Sequence, residues 1–364
     1  MKDNSNLTRN KKTAVVLFQL GGPDSLEAVE PFLFNLFLDP DIIDFPLAFL
    51  ARKPLATLIS SKRSLRVQNN YKLIGGKSPI LDLTRLQAGA LKARCTQLGL
   101  QVHIFIAMRY WHPMTDEVVS EIKAGGFDQI ILLPLYPQFS QATTGSSMNE
   151  WNRQVKKRGL NVPTRFACCY PGHPALLEAF VDNINASLTR FSDIPPEHID
   201  LVFSAHGVPV RYIQLGDPYQ LHVEETVRRV VERGAWKSPH TLCFQSKVGP
   251  MEWLKPSLIE TVERLADEGR RHILIIPIAF VTDHIETLHE INIEVRKHAL
   301  TRGVQQFELM PALNDHPKFI ECLTDILIQQ LTHPVECTTC ESLWRENGGR
   351  PKPKKCPHVA RYNW

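Results

Sequence analysis

The stretch RRHILIIPIAFVTDHIETLHEINIEV, residues 270–295, decides how the second half of the chain folds. Its beginning is a near-continuous apolar run from residue 273 to residue 281, which is typical of a parallel strand buried on both faces. Four acids follow at spacings of three, four and four residues: Asp283, Glu286, Glu290 and Glu294. At that spacing the acids share one face of a helix, so the stretch predicts a buried strand followed by a helix with a carboxylate stripe.

A charged stripe is more often simply the solvated face of a helix. Here, however, like charges at this spacing cost about 0.2–0.5 kcal/mol per pair. No Lys or Arg lies three or four residues from Glu286 or Glu290 to offset that repulsion. Because the stripe begins at the carboxyl end of a buried strand, where open α/β sheets form their ligand crevices, we favour a functional site.

Length and composition indicate a soluble globular protein with two domains. The chain has 364 residues, of which 43% are hydrophobic and 22% are charged. The formal net charge is +4; residues 1–12 contribute +3 and residues 341–364 contribute +4, which leaves −3 on the remainder. Because the basic charge lies in the terminal segments, we do not expect a nucleic-acid-binding protein.

We expect a cytoplasmic protein. No apolar segment reaches the length of a membrane span. The first apolar stretch, TAVVLFQL at residues 13–20, is followed directly by GGPDS, so it predicts a β-strand and not a signal peptide. Eight cysteines without a secretory signal indicate a reducing compartment, where cysteines serve as thiols or metal ligands.

Apolar runs alternate with amphipathic stretches along most of the chain. We predict strands at 13–19, 102–107, 129–133, 199–204, 240–244, 272–278 and 305–309. We predict helices at 24–37, 82–98, 115–124, 145–157, 174–190, 218–233, 256–268, 284–299 and 315–331. This alternation predicts an α/β fold of two similar doubly wound parallel-sheet domains, Rossmann-like or flavodoxin-like. The expected division is an N-terminal domain at 13–165, a C-terminal domain at 166–331 and a cysteine-containing tail at 332–364.

Residues 45–67 depart from this alternation. FPLAFLARKPLATLI, residues 45–59, is apolar but broken by two prolines, and the basic SKRSLR follows it. The segment suits a mobile lid, an apolar lip in contact with a membrane surface, or a helix packed on the core. GGKS at residues 75–78 suggests a phosphate loop, but Tyr71 stands where that motif needs its first glycine.

Polar residues follow four of the predicted strands and indicate one large cleft. DLVFSAHGVPV, residues 200–210, places His206 after a buried strand and between small neighbours. A single such histidine is more often structural. If its strand lies beside the strand at 272–278, however, His206 and Glu286 face each other, which suits proton abstraction or a divalent metal. RYWHP at residues 109–113 adds an exposed arginine-aromatic cluster that suits a flat anionic ligand.

Eight motifs that occur in order between residues 20 and 290 carry a family resemblance: LGGPDS, IGGKSPI, RYWHP, YPQFSQATTGSS, FSAHGVP, GDPY, QSKVGPMEWL and PIAFVTDHIETLHE. The chain resembles the ferrochelatases, the terminal enzymes of haem biosynthesis, over residues 13–331. The resemblance implies a chelatase-type fold of two α/β domains around a porphyrin cleft. It also implies a lyase that inserts Fe²⁺ into protoporphyrin IX, giving protohaem and releasing two protons.

The resemblance implies roles for individual residues. The site for metal and protons matches His206, Glu286, Glu290 and Glu294. Within it, His206 corresponds to a proton acceptor or metal ligand and Glu286 to the acid facing it, while Asp283 and His284 correspond to supporting residues. The porphyrin-binding positions implied are Leu20, Arg63, Ser78, Arg109, Tyr110, Met251, Trp253 and Phe280.

The tail departs from the family pattern. Family members with a 2Fe–2S cluster hold it with cysteines of a C-terminal extension, and this tail offers Cys337, Cys340 and Cys356. In the animal form a fourth ligand comes from a mid-chain helix, where this chain has Ala179. Candidates for the missing ligand are Cys168, Cys169, Cys322 and His358. A zinc site and an empty tail are the alternatives.

The substrate and the reaction have alternatives. The family branch that acts on coproporphyrin tends to carry a tyrosine where this chain has Leu20, which favours protoporphyrin. The alternatives are a coproporphyrin ferrochelatase, a cobalt chelatase, and a non-catalytic haem or metal carrier. Peripheral contact with the inner face of a membrane through residues 45–59 is a further expectation, and a monomer and a homodimer are both compatible with the sequence.

Overall fold

Two parallel four-stranded sheets form the centre of the structure, a computed structural model that describes residues 11–42, 48–247 and 251–332. The strands of the first sheet are β1 (Thr13–Gln19), β2 (Val102–Met108), β3 (Gln129–Pro134) and β4 (Thr164–Phe166). Those of the second are β5 (Ile199–His206), β6 (His240–Gln245), β7 (His272–Pro277) and β8 (Gln306–Leu309). The strand orders are β2-β1-β3-β4 and β6-β5-β7-β8.

Helices connect the strands, as parallel pairing requires. They are α1 (Val29–Leu38), α2 (Ala48–Lys72), α3 (Ile80–Gln97), α4 (Thr115–Gly125), α5 (Ser146–Arg158), α6 (Pro174–Leu188), α7 (Val210–Gln214), α8 (Tyr219–Gly234), α9 (Leu258–Asp267), α10 (Arg296–Thr301) and α11 (Pro317–Thr332). A short 3₁₀ turn, Pro196–His198, precedes β5. Two π-helical segments, Gln141–Gly145 and Glu286–Val295, lead into α5 and α10.

The central strands are apolar because both of their faces are covered. Every residue of β1 is buried, and β5 is buried up to His206, its last residue. In the second sheet, Ser204 of β5 pairs with Pro277 at the end of β7. The segments that leave β5 and β7 therefore begin side by side at the carboxyl edge of the sheet, which is where ligands bind in such folds.

The two halves of the chain repeat one topology. In each sheet the first strand of the half lies between the second and the third. Each π-helical segment follows the third strand of its half, β3 or β7. The predicted fold class, two similar parallel-sheet α/β units, is confirmed. The predicted domain boundary between residues 165 and 166 falls inside β4, and the division into domains stays a prediction.

One apolar core joins the two sheets. It contains residues of β1 and β3 from the first sheet, residues of β5 and β7 from the second, and residues of α3, α6 and α11. The last helix, α11, packs against both α3 and α6. The carboxyl edges of the two sheets are therefore fixed relative to each other by a shared helical layer.

The seven predicted strands are confirmed to within two residues at each end. The sequence prediction lacks β4 and α7, which are too short to carry a periodic pattern, and it gives a helix at the position of α2 only as one of three alternatives. The predicted helix at 24–37 begins only at Val29. The predicted helix at 284–299 is helical, but its hydrogen bonds span five residues from Glu286 to Val295 and not the four that an α-helix requires.

Residues 48–72, in the region predicted as a lid, a lip or a packed helix, form α2, which packs against α1. Over residues 51–72 of α2, the buried residues are Ala56, Ser60, Ser64 and Tyr71. Its opposite face exposes Leu58 and Leu65. The inner face of α2 is therefore packed against the protein, as the packed-helix alternative predicts. Residues 43–47, which belong to the same segment, lie outside the described residues. Across the described ranges, no helix combines the length and apolarity that a membrane span requires.

Candidate functional site

His206 and Glu286 meet at the carboxyl ends of β5 and β7. His206 is the last residue of β5, and Glu286 is the first residue of the π-helical segment that follows β7. His206 Nε2 lies 3.8 Å from Glu286 Oε1, and the side chains are 34% and 22% exposed. The structure thus brings together the two residues whose proximity the sequence predicts, and it leaves them partly accessible.

The orientation of the His206 ring is fixed by its backbone surroundings. Nδ1 lies 2.5 Å from the carbonyl oxygen of Gly207, and because a carbonyl only accepts, Nδ1 carries the hydrogen. A Cβ on Gly207 would lie 3.1 Å from the carbonyl oxygens of Gln245 and Ser246, so this close approach favours glycine. In the neutral ring Nε2 therefore carries the lone pair, and it faces Glu286.

Glu286 lies between two imidazoles. His284 Nε2 is 3.7 Å from Glu286 Oε2, and His284 Nδ1 is 3.1 Å from the carbonyl oxygen of Thr282. Burial raises the pKa of Glu286, but the charge of His206 and the proximity of His284 outweigh it and lower this pKa from 4.5 to about 2. Burial lowers the pKa of His284, yet Glu286 raises it above its usual value overall. Glu286 is therefore ionised throughout the physiological range.

Asp283 holds the turn that leads to Glu286. Its Oδ1 accepts from Thr287 Oγ1 at 2.9 Å, and its Oδ2 accepts from Asn314 Nδ2 at 2.9 Å. Its backbone N–H donates to Asn314 Oδ1 at 3.0 Å. Both carboxylate oxygens are thus occupied within the protein, which agrees with the supporting role that the family resemblance implies for Asp283.

The acidic series becomes more exposed along the π-helical segment. Ser246 Oγ lies 2.9 and 2.7 Å from the two carboxylate oxygens of Glu290. Burial and the charge of Glu286 raise the pKa of Glu290. Glu294 is exposed, and its Oε1 is 4.0 Å from His289 Nδ1. Within the described part of the chain, no three His, Cys, Asp or Glu side chains form a group that could hold a metal ion, so the four predicted ligands are not gathered around one point.

Aromatic side chains border the His206–Glu286 pair. The ring centroids of Trp253 and Phe280 lie 6.2 and 6.5 Å from that of His206. Phe280 also lies 4.7 Å from the His284 ring. Met251 is 46% exposed on the segment that leads to Trp253. These three predicted porphyrin-binding residues therefore lie on the two segments that flank His206.

Arg109 and Tyr110 are not exposed, so the expectation of an exposed arginine-aromatic cluster is wrong for both. Arg109 Nη2 lies 2.9 Å from Asp39 Oδ2, and Tyr110 OH donates to the same oxygen at 2.6 Å. Ser146 Oγ also donates to it and accepts from Arg109 Nε at 2.7 Å. Asp39, which the sequence reasoning missed, is fully buried and draws both residues inward, because a buried carboxylate requires partners.

The other three predicted porphyrin-binding residues lie on or near α2. Ser78 is buried, and a Cβ on Gly22 would lie 2.5 Å from its Oγ, so the glycine allows the loop after β1 to pass over it. Arg63 is exposed, with its guanidinium 5.6 Å from the ring centroid of Phe37. Leu20 is half-buried against the apolar cluster between α1 and α2. The contacts with porphyrin stay predictions for all three.

Several known proteins with similar sequences are ferrochelatases. The ferrochelatase family model matches residues 12–331. The ferrochelatase of Geotalea daltonii is 45% identical over 318 residues, which cover 87% of this chain and 98% of the relative. That of Gloeothece citriformis is 44% identical over 329 residues, covering 88% of this chain and 83% of the relative. The chain belongs to the ferrochelatase family.

Among solved structures, SirB from Bacillus subtilis with Fe³⁺ has a similar fold. The TM-score is 0.52 at 13% sequence identity, and the match covers 88% of this chain and 96% of SirB. At this identity the similarity concerns the fold alone. It agrees with the chelatase-type fold that the ferrochelatase resemblance implies.

Sequence reasoning missed several residues that surround the candidate site. Gln19, Gln87 and Thr282 form a buried polar cluster beneath the segment that carries Glu286. Ser246 adopts a left-handed backbone with φ of 60° where its hydroxyl meets Glu290. None of these residue types is unusual in its local sequence. Only the contacts between distant segments identify them.

Proposed function

We propose that this ferrochelatase-family protein inserts Fe²⁺ into protoporphyrin IX, giving protohaem and releasing two protons. Support comes from the position of Glu286 between His206 and His284, at 3.8 and 3.7 Å, where β5 and β7 end. Insertion requires bases that remove protons from two ring nitrogens and oxygen ligands that hold Fe²⁺ weakly. Here the imidazoles supply the bases and the ionised carboxylate between them supplies the oxygen ligands, at one place.

We assign different tasks to the members of the site. His206 Nε2 carries a lone pair in the neutral ring and accepts a proton from a pyrrole N–H, and Glu286 stabilises the resulting imidazolium. With its pKa lowered to about 2, Glu286 is a poor proton acceptor and serves instead to attract a cation. Glu290, whose pKa is raised by burial and by the charge of Glu286, is better suited to take up a proton and release it toward the exposed Glu294.

We propose protoporphyrin, and not coproporphyrin, as the substrate. Leu20 contributes an apolar side chain beside the cluster between α1 and α2. An apolar wall suits the vinyl groups of protoporphyrin better than the additional carboxylates of coproporphyrin, whose burial would require polar partners.

Anaerobic incubation of the purified protein with Fe²⁺ or Zn²⁺ and either porphyrin tests this proposal through loss of the free-base absorbance. We expect a larger kcat/KM for protoporphyrin than for coproporphyrin. A preference for coproporphyrin would reverse the substrate assignment. Tight porphyrin binding without turnover would instead indicate a carrier, and insertion of Co²⁺ only into a non-porphyrin tetrapyrrole would indicate a cobalt chelatase.

We propose that the outer face of α2 contacts the cytoplasmic surface of a membrane. Leu58 and Leu65 are 52% and 72% exposed, and Lys62 and Arg66 are exposed between and beside them. Apolar side chains flanked by basic ones suit the boundary between anionic headgroups and acyl chains. Such a position would place the site near a source of apolar porphyrin.

A 2Fe–2S cluster in the tail is a separate proposal. Cys337, Cys340 and Cys356 lie outside the described residues, and their spacing is its support. Of the candidate fourth ligands that the structure describes, Cys168 and Cys322 are buried, whereas Cys169 is half-buried.

Cys169 lies four residues after Arg165 in the sequence. Arg165 Nη1 donates to the carbonyl oxygen of Leu331 at 3.2 Å, so this part of the chain lies near the start of the tail. We therefore propose Cys169 as the fourth ligand. Visible absorbance and acid-labile sulfide of anaerobically purified protein test this, and loss of both in a Cys169→Ser variant is expected. Sulfide-free protein would contradict the cluster.

A further inference from the structure

Gln87 of α3 extends from the first half of the chain into the segment that carries Glu286. Its side chain is fully buried. Nε2 lies 2.9 Å from Thr282 Oγ1, 2.9 Å from the carbonyl oxygen of Asn314 and 3.2 Å from that of Val281. Because carbonyls only accept, the amide nitrogen must face the two carbonyl oxygens, while the amide oxygen lies 3.3 Å from Thr282 Oγ1 and accepts from it.

A second residue of the first half holds the same hydroxyl. Gln19, the last residue of β1, donates from Nε2 to Thr282 Oγ1 at 3.2 Å, and its Oε1 accepts from the backbone N–H of Leu20 at 3.0 Å. Thr282 is 3% exposed. One buried hydroxyl of the second half is thus fixed by an α-helix and a strand end of the first.

A short series of contacts leads from Thr282 to the reacting groups. The carbonyl oxygen of Thr282 is 3.1 Å from His284 Nδ1, and His284 Nε2 is 3.7 Å from Glu286 Oε2. The Asn314 backbone that Gln87 contacts also carries the side chain that binds Asp283. A displacement of Thr282 or Asn314 would therefore move the groups that orient Glu286.

We propose that Gln87 is a positioning residue for metal insertion: its amide fixes the Thr282 segment to the first half, so that His284 and Glu286 face His206 across the cleft. The inference rests on the proposed insertion reaction. Without the amide, the Asn314 carbonyl loses its buried donor, and the segment must shift to find another. A misplacement of about 1 Å at reacting groups lowers a rate by about 100-fold.

A Gln87→Met variant removes the donor and keeps the side-chain length. We expect kcat for Zn²⁺ or Fe²⁺ insertion to fall about 100-fold, while the Kd of protoporphyrin, measured by absorbance titration, changes by less than about threefold. The matched control is Gln129→Met. Gln129 Nε2 donates to Thr13 Oγ1 at 2.8 Å, and both residues are buried at the amino ends of β3 and β1. The control should lose comparable stability and keep its kcat.

Two further variants separate positioning from folding if Gln87→Met does not fold. Thr282→Val removes the hydroxyl and should reproduce the loss of kcat, whereas Thr282→Ser keeps it and should restore kcat. Full kcat in Thr282→Val or in a folded Gln87→Met overturns the proposal. An equal loss of kcat in Gln129→Met does the same, because it would show a general effect of stability.

An NMR measurement keeps this inference separate from the proposed function. The ¹H and ¹⁵N shifts of the His284 imidazole should change in Gln87→Met and remain at their wild-type values in Gln129→Met. Absence of insertion by the wild-type protein would refute the proposed reaction. The His284 shifts would still test whether Gln87 positions the Thr282 segment. Unchanged His284 shifts in folded Gln87→Met would overturn the positioning role.

Discussion

His284 Nε2 lies 3.7 Å from one carboxylate oxygen of Glu286, and His206 Nε2 lies 3.8 Å from the other. Each ring directs its Nδ1 to a backbone carbonyl, that of Thr282 or that of Gly207. Both rings therefore present Nε2 to the same acid. This arrangement places one ionised carboxylate between two bases, and its consequences can be measured.

Replacement of His206 by Ala should abolish most turnover. The variant loses the Nε2 lone pair that takes the pyrrole proton, and loss of a general base lowers kcat by roughly 100- to 10,000-fold. The loss of free-base protoporphyrin absorbance measures it. His298→Ala is the control, because His298 pairs with Glu263 at 3.0 Å on the surface, away from the cleft. Wild-type turnover by His206→Ala would refute the assigned role.

Replacement of Glu286 by Gln should reduce turnover with little change in porphyrin affinity. The variant keeps the shape but loses the charge that attracts Fe²⁺ and stabilises the His206 imidazolium, so we expect kcat to fall by about 100-fold or more. Glu263→Gln is the matched control, since Glu263 pairs with His298 at 3.0 Å on the surface. Equal kcat values for the two variants would argue against a special role for Glu286.

The same substitution should change stability in a defined pH range. Because its pKa is lowered, Glu286 adds to the free energy of unfolding. This contribution is fully present above pH 4.5 and is lost as the pH falls toward about 2. Because its pKa is raised, His284 also adds to the free energy of unfolding. This contribution is fully present below pH 6.5 and is lost as the pH rises through the pKa of His284 in the folded protein. Glu286→Gln should therefore destabilise the protein most between pH 4.5 and pH 6.5.

Urea unfolding of the wild type and of Glu286→Gln, at pH values inside and on either side of this range, measures that difference. We expect a difference in the free energy of unfolding on the order of 1–3 kcal/mol within the range and a smaller one outside it. A difference that does not vary with pH would show that the carboxylate and His284 are not coupled.

Replacement of Arg109 should act mainly on stability. Arg109→Leu leaves the fully buried Asp39 without its cation, and breaking such a pair costs about 3–5 kcal/mol. Tyr110→Phe removes one hydrogen bond to Asp39 and should cost about 1 kcal/mol. Arg153→Leu, which loses the ion pairs of a half-exposed arginine with Glu150 at 2.8 Å and Asp41 at 3.8 Å, is the control for charge. Denaturant unfolding checks all three, and an unchanged midpoint for Arg109→Leu would contradict this reading.

Replacement of Leu65 by Glu should weaken membrane contact. Leu65 is 72% exposed on α2, and withdrawing one buried leucine from a lipid surface lowers affinity by about tenfold or more. Flotation with vesicles containing phosphatidylserine measures the bound fraction. Leu300→Glu is the control, since Leu300 is 47% exposed on α10. Equal binding by the wild type and both variants would argue against contact through α2.

Much of the fold and part of the site follow from local sequence. Apolar runs such as residues 273–281 encode strands covered on both faces, and the alternation with helices leads to parallel sheets. Because parallel strands end at the same edge, His206 after β5 and Glu286 after β7 could be predicted to face each other. Local sequence leaves open whether these two strands are neighbours, and the strand order β6-β5-β7-β8 of the structure places them side by side.

Only the tertiary structure decided the rest, because the deciding contacts join segments that local patterns do not connect. Asp39 is 71 positions from Tyr110 in the sequence. Its contacts turn Arg109 and Tyr110 inward, although the sequence alone suggested that both were exposed. Gln87 and Thr282 are 195 positions apart, and no periodicity relates them. The π-helical hydrogen bonding of Glu286–Val295 likewise has no local signature, since apolar spacing that suits an α-helix fits both. Local sequence therefore determined where strands end and which groups follow them, whereas long-range burial and hydrogen bonding determined which of those groups remain accessible to a ligand.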